Sequence, residues 1–199
     1  FEVLVLTNAM RPMRRFETAL TALAREHDGR LTMRVSLDHY SPSVHEAERG
    51  AGTWEKAVDG LKWLSEEGFR LAVAGRKLAR EEEANVRARY AALFDLLGVR
   101  IDAGLVLFPE MDAAADVPEI TEACWGLLDV SPSAMMCASS RMVVKGRGAA
   151  RPHVVACTLL PYDDRFALGE TLAEAGGAVP LNHPHCARFC VLGGASCSG

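Results

Sequence analysis

The sequence predicts an α/β protein built on a parallel sheet, followed by a small cysteine-rich α+β domain. Four short apolar runs, at residues 3–6, 31–37, 69–74 and 104–108, have the length of buried strands. Segments with helical periodicity separate them, and parallel strands need long crossovers of this kind. All six cysteines lie beyond these four runs, and five of them are in the last third of the chain.

Three helices are predicted between the strands, over residues 12–27, 53–66 and 81–97. The first has Phe16, Leu20 and Leu23 along one stripe. A glycine follows each helix, at a position where a left-handed backbone is least costly. The glutamates at 81–83 favour the helix dipole of the third helix and are expected to face solvent. Both a doubly wound sheet and part of a (βα) barrel satisfy this order of elements.

Composition excludes several classes of partner. With 49% hydrophobic residues, 24% charged residues and a formal charge of -4, the chain has no electrostatic basis for binding nucleic acid. No apolar run is long enough for a membrane span, and the first residues show no basic flank followed by a small-residue cleavage site, so we expect a cytoplasmic, reducing location and no membrane partner. The chain enters a strand directly from Phe1, which predicts a fragment of a longer protein.

Polar side chains follow the predicted strands at the edge where α/β proteins bind ligands. The four runs end in Thr7-Asn8, in Ser36-Leu37-Asp38-His39, in Gly75-Arg76-Lys77 and in Pro109-Glu110-Met111-Asp112. Amide, hydroxyl and carboxylate groups at neighbouring strand ends suit a ligand with ribose hydroxyls and an amino-acid part. The sequence has neither the glycine-rich dinucleotide motif after the first strand nor a phosphate-binding Gly-Lys-Ser/Thr loop.

The C-terminal cysteines predict a metal centre. The candidate ligands are Cys137, Cys157, Cys186, Cys190 and Cys197, because converging thiolates select zinc or iron-sulfur clusters. A hairpin is predicted from strands at 141–145 and 153–157, followed by a helix at 166–175. His183 and His185 could each replace a thiolate. Cys124 lies in an apolar helical stretch and is interpreted as a core residue.

Two motifs in the first half resemble those of a known family. The run RVSLD at 34–38, followed by His45 and by ERGAGTW at 48–54, resembles the fourth strand and helix of radical S-adenosylmethionine (radical SAM) enzymes. LTNA at 6–9 is similar to their third-strand TNG signature. The resemblance implies that residues 1–112 form strands three to six of a partial (βα) barrel. The later order of cysteine, hairpin, cysteine and cysteine cluster is similar to a SPASM or twitch extension, which implies an auxiliary iron-sulfur domain at 113–199.

The resemblance also implies chemistry. Asn8, Ser36, Asp38 and Arg76 would line the S-adenosylmethionine pocket, and the five C-terminal cysteines would supply the ligands of an auxiliary 4Fe-4S cluster. The parent would be an oxidoreductase or maturase that uses a deoxyadenosyl radical on a peptide or small metabolite, with a flavodoxin or ferredoxin as electron donor. The family's Cys-x3-Cys-x2-Cys loop does not occur in this sequence, so the chain alone is expected to be inactive.

Two other classes stay open from the residues alone. One is a zinc-stabilised binding module that uses Cys157, Cys186, Cys190 and Cys197. The other is an ordinary α/β barrel enzyme without a metal, in which the cysteines are thiols or form a disulfide.

Overall fold

A computed structural model describes residues 2–27, 29–110, 114, 116–118 and 120–192 of the chain. The described residues up to Glu110 form one compact unit, and those from Ala114 to Leu192 form a second. The predicted boundary after Asp112 lies outside the described residues. Within the described ranges, no helix combines the length and the apolar character that crossing a membrane requires.

The first unit contains a four-stranded parallel sheet in the order β1-β2-β3-β4. Its strands are β1 Val3–Thr7, β2 Leu31–Ser36, β3 Arg70–Lys77 and β4 Leu105–Pro109. The connecting helices are α1 Arg11–Arg14, α2 Glu17–Glu26, α3 Pro42–Arg49, α4 Thr53–Glu66 and α5 Glu83–Leu97. The predicted α/β class and parallel sheet are confirmed, and each strand pairs with the next strand along the chain.

The core of this unit joins one face of the sheet to the helices. Alternate residues of β2 and β3 are buried there, including Met33, Val35, Leu71 and Val73. The helices contribute buried side chains from α4 and α5 to the same cluster: Ala57, Val58, Leu61, Leu64, Val86, Tyr90 and Phe94. Among the described strands the order does not reverse, so there is no point within them at which the helices would change face.

The predicted helix at 12–27 is divided, and its predicted stripe is wrong. Arg15 and Phe16 leave regular helical geometry between α1 and α2, with Phe16 at φ -112°. This interruption breaks the phase of the helical repeat, so Phe16 is 62% exposed and Leu23 is 43% exposed. Leu20 alone of the three packs against the core cluster. The α5 helix begins at Glu83, two residues later than predicted.

The second unit contains a three-stranded antiparallel sheet. Its strands are β5 Met142–Val144, β6 His153–Val155 and β7 Ala167–Gly169, in the order β5-β6-β7. Two short helices, α6 Ala123–Leu128 and α7 Met136–Ser139, precede the sheet, and a π-helical turn spans Cys186–Val191. The predicted hairpin is confirmed by the pairing of β5 with β6.

Two expectations for this unit are wrong. The predicted helix at 166–175 is replaced by β7, because Gly169 adopts φ +125° and this conformation cannot continue a helix. Cys124 is half-buried, and α6 contributes no buried residue to a core. The apolar side of α6 remains exposed, with Leu127 82% exposed, so the apolar composition of this stretch did not indicate burial.

Candidate functional sites

The sheet brings the four predicted cofactor-binding residues to one edge. Thr7 is in register with Val35, and Ser36 is in register with Ala74. The Arg76 amide donates to the Asp38 carbonyl at 2.7 Å, which continues the pairing beyond β2. Asn8, Ser36, Asp38 and Arg76 therefore stand at the carboxyl ends of three neighbouring strands.

The contacts of these four side chains differ. Asp38 is buried, and both of its carboxylate oxygens accept from Arg49, at 2.7 Å from Nε and 3.0 Å from Nη2. Asn8 uses its side-chain oxygen to accept from the Met10 amide at 3.0 Å. Arg76 lies farther from Asp38, at 3.9 Å, and its side chain is 43% exposed. Arg76 and the half-buried Ser36 are thus better placed than Asp38 to meet a ligand directly.

Arg49 belongs to this strand-end cluster, although the sequence did not indicate it as a site residue. It forms a bidentate pair with Asp38, the strongest geometry available to an arginine and a carboxylate. The fully buried His45 supports the same segment, because its Nδ1 accepts from the Asp38 amide at 3.1 Å. Burial lowers the pKa of His45, which keeps the imidazole neutral and able to accept this bond.

The glycines of the ERGAGTW motif have a conformational role. Gly50 ends α3 at φ +97° and Gly52 begins α4 at φ +69°, both in the region that favours glycine. The Thr53 hydroxyl donates to the Gly50 carbonyl at 2.6 Å and closes this turn. The turn starts directly after Arg49, so the two motifs of the resemblance are joined physically by the Arg49–Asp38 pair.

A second polar cluster lies beside the strand ends, around Glu81. The interpretation of Glu81 as a solvent-facing helical residue is wrong, because its carboxylate contacts His39 Nε2 at 3.1 Å and accepts from the Tyr40 hydroxyl at 2.9 Å. The Leu78 amide donates to its other oxygen at 2.9 Å. Burial alone would raise the pKa of Glu81, but these three partners together lower it below its ordinary value. Glu81 thereby ties the loop after β3 to the loop after β2.

The second unit gathers four of the five predicted metal ligands around one cavity. Met136, Cys137, Ala156, Cys157, Leu159, Leu160, Phe166, Val179, Leu181, His185, Cys186 and Cys190 line it. The cysteines come from α7, from the segment after β6 and from the π-helical turn. Cys197 lies outside the described residues. The remaining wall is apolar, which is the setting that limits water at a metal centre.

The two histidines of this region, His183 and His185, have different positions relative to the cavity. His185 lines the cavity with the cysteines, whereas His183 is not among its lining residues. His183 instead accepts from the His185 amide through Nδ1 at 3.1 Å. Burial, with the nearby positive charge of Arg165, lowers the pKa of His183. His183 is therefore a neutral residue that holds the backbone of His185.

The donor set of this cavity is four thiols and one imidazole, residue types that both iron-sulfur clusters and zinc ions take. A cluster takes one thiolate at each of four iron corners, and four cysteines stand in this wall. A single zinc ion requires its thiolates at about 2.3 Å from one centre. Among the described residues, no group of three or more His, Cys, Asp or Glu side chains is arranged to hold a metal ion. The cavity is small, with about 20 Å³ of space open to water-sized molecules.

Comparison with known proteins does not assign the chain to a family. No protein-family model matches the sequence, and no curated protein shows significant similarity to it. The functional argument therefore depends on the residues and contacts described above.

Proposed function

We propose that this chain is the C-terminal portion of a radical SAM enzyme. Its first unit would supply part of the barrel that binds S-adenosylmethionine, and its second unit would hold an auxiliary 4Fe-4S cluster. The observation that carries the proposal is the convergence of Cys137, Cys157, Cys186 and Cys190 on one apolar cavity. These cysteines belong to three separate segments of the chain.

The first unit supports the barrel interpretation through its strand order. Consecutive parallel strands with the helices packed on one face are the repeating element of a (βα) barrel. At its centre the opposite face carries Arg34 beside Ala72 and Ser36 beside Ala74, while the outer strands add Leu6 and Val106 to it. In a barrel this face would line the interior, and Ser36 and Arg76 would then lie at the mouth where such enzymes bind their ligands.

Different residues of the chain would bind the ligand and hold the binding loop in place. Ser36 and Arg76 would meet ribose or amino-acid groups of S-adenosylmethionine, while Arg49 and His45 would hold Asp38 and its loop in place. The cysteines would bind the auxiliary cluster, and the apolar wall would keep water from it. The two cofactors supply radical and one-electron chemistry when bound, and the protein orients them. This proposal implies a peptide or small metabolite as the substrate and a flavodoxin or ferredoxin as the electron donor.

Iron and acid-labile sulfide analysis after anaerobic reconstitution tests the cluster. We expect about four irons and four sulfides per chain, and loss of most iron in Cys157→Ala and Cys186→Ala, since each removes a thiolate from the cavity wall. Cys124→Ala is the matched control and should keep the full iron content, because Cys124 is not among the cavity-lining residues.

Three results would contradict the proposal. One colourless zinc equivalent without sulfide would identify the zinc-stabilised module instead. Absence of any bound metal would favour an ordinary α/β enzyme. Full iron content in both Cys157→Ala and Cys186→Ala would show that the site lies elsewhere.

The S-adenosylmethionine site is tested in a longer protein that carries the cluster-binding loop. Ser36→Ala should weaken the affinity for S-adenosylmethionine by several-fold to a hundredfold, which corresponds to about 1–3 kcal/mol for one buried polar partner. Ser65→Ala is a matched control, since Ser65 lies in the last turn of α4, which leads into the amino end of β3 and away from the strand-end site. Unchanged affinity in both Ser36→Ala and Arg76→Met would remove this strand edge from the cofactor pocket.

A further inference from the structure

Arg141 is a half-buried arginine beside the cysteine cavity, and its contacts are unusual. Its guanidinium donates to four backbone carbonyls: Nη1 to Cys137 at 2.5 Å and to Ser140 at 2.8 Å, Nε to Ala175 at 2.8 Å, and Nη2 to Gly177 at 3.0 Å. Four of its five N–H groups are thus directed to the main chain of two segments that are distant in sequence.

The contact with Cys137 replaces a missing helical bond. The α7 helix has only four residues, and Ser140 leaves it with an extended backbone, at φ -125° and ψ 155°. The Met136 carbonyl still accepts from the Ser140 amide at 2.9 Å. The next carbonyl, that of Cys137, would accept from the amide of residue 141 if the helix continued. The side chain of Arg141 takes this acceptor instead.

The same guanidinium fixes α7 to the turn at Glu174–Gly176. A helix of one turn has too few internal hydrogen bonds to hold its own orientation. Val179 and Leu181, which follow that turn, line the same cavity as Cys137. The orientation of the Cys137 side chain relative to the cavity therefore depends on Arg141.

We propose that Arg141 is a positioning residue for Cys137 as a cluster ligand, and that its fixed positive charge raises the reduction potential of the bound cluster. This inference rests on the proposed auxiliary cluster. Outer groups that orient a metal ligand alter metal affinity by roughly 10- to 100-fold. A cation near thiolate ligands favours the more negative, reduced state, since net charge is one of the factors that set cluster potentials.

The test compares Arg141→Met and Arg141→Lys with Arg151→Met in the full chain. Arg151 lies on the same hairpin and its side chain is 80% exposed, so it controls for the loss of one positive charge at the surface. Chelator competition should show iron affinity lower by roughly 10- to 100-fold in both Arg141 variants. The midpoint potential should fall in Arg141→Met and stay close to wild type in Arg141→Lys, because lysine keeps the charge but not the planar fork.

Alkylation of the metal-free chain separates this inference from the cluster itself. With iodoacetamide and mass spectrometry, Cys137 should react several-fold faster in Arg141→Met than in wild type, while Cys157 should not change. If wild type binds no iron and Cys137 still becomes more reactive, the cluster proposal fails and the anchoring of Cys137 stands. The inference is overturned if Arg141→Met has the same chelator resistance, the same midpoint potential and the same Cys137 reactivity as wild type.

Discussion

Replacing Gly75 with alanine should test how tightly the first unit is packed behind the strand-end site. Gly75 lies near the carboxyl end of β3, and a β-carbon added there would stand 2.3 Å from Tyr90 Oη and 2.6 Å from Cζ. Tyr90 is fully buried, and its hydroxyl donates to the Leu37 carbonyl at 2.8 Å. The new methyl group can be accommodated only if the tyrosine moves.

The size of the effect follows from these distances. An ordinary carbon–oxygen contact is about 3.5 Å, so Tyr90 must shift by roughly 1 Å. Overpacking of a core costs about 1–3 kcal/mol, and loss of the buried bond to Leu37 adds about 1–3 kcal/mol. We expect Gly75→Ala to lower the free energy of unfolding of the first unit by about 2–6 kcal/mol. With a urea m value of about 2 kcal/mol/M, the midpoint falls by about 1–3 M.

Tryptophan fluorescence can follow this unit by itself. Trp54 and Trp63 lie in the first unit and Trp125 in the second, so a Trp125→Phe background leaves only reporters of the first unit. Gly126→Ala provides the control, because a β-carbon at Gly126 meets nothing within 4 Å. It should leave the urea midpoint of the first unit unchanged.

A double-mutant cycle with Tyr90→Phe supplies the refuting result. Tyr90→Phe removes the atom nearest to the added methyl group, so the double variant should be less destabilised than the sum of the two single variants by about 0.5–3 kcal/mol. Strict additivity would show that Tyr90 is not what makes alanine unfavourable at position 75.

Three other substitutions in the first unit have expected outcomes. Gly60→Ala should destabilise it more than Gly75→Ala in the same urea assay, since the added carbon would lie 1.8 Å from the backbone oxygen of Ala9; a milder effect would refute this packing. Ala9 is buried at φ +56°, so thermal unfolding should show Ala9→Val less stable by about 2 kcal/mol or more and Ala9→Gly within about 1 kcal/mol of wild type. Glu81→Gln should cost about 1–3 kcal/mol at pH 7. Because the pKa of Glu81 is lowered on folding, the difference in free energy of unfolding between wild type and Glu81→Gln should shrink as the pH falls below about 4.5. A difference that does not change with pH would contradict a stabilising role for the charge of Glu81.

The sequence predicted the sheet well because its strands are continuously apolar and separated by long helices. The α4 helix at Thr53–Glu66 has the predicted bounds, since glycines mark both of its ends. The divided first helix was not predictable from periodicity, because the interruption at Arg15 and Phe16 contains neither glycine nor proline. The strand at 167–169 resembled a helix in composition, and only the backbone conformation of Gly169 and its pairing with β6 distinguish it.

The candidate sites were predicted by residue type and not by contact. Asp38 was chosen as a ligand-binding carboxylate, but nothing in the run RVSLD shows that Arg49, eleven positions later, takes both of its oxygens. Glu81 was assigned to solvent because glutamates at a helix start usually are, and its partners His39 and Tyr40 lie on another strand end. Such partnerships depend on the tertiary arrangement of loops, which short motifs do not encode.

The distribution of the cavity-lining cysteines along the chain has a consequence for biosynthesis. Each strand of the parallel sheet pairs with the strand made just before it, so the first unit can fold in the order in which it is synthesised. The cavity wall is complete only when Cys186 and Cys190 of the π-helical turn have joined Cys137 and Cys157. Under the proposed function, iron delivery would follow translation of the whole second unit, because a chain that stops before Cys186 would keep the sheet and lack two of the cavity-lining cysteines.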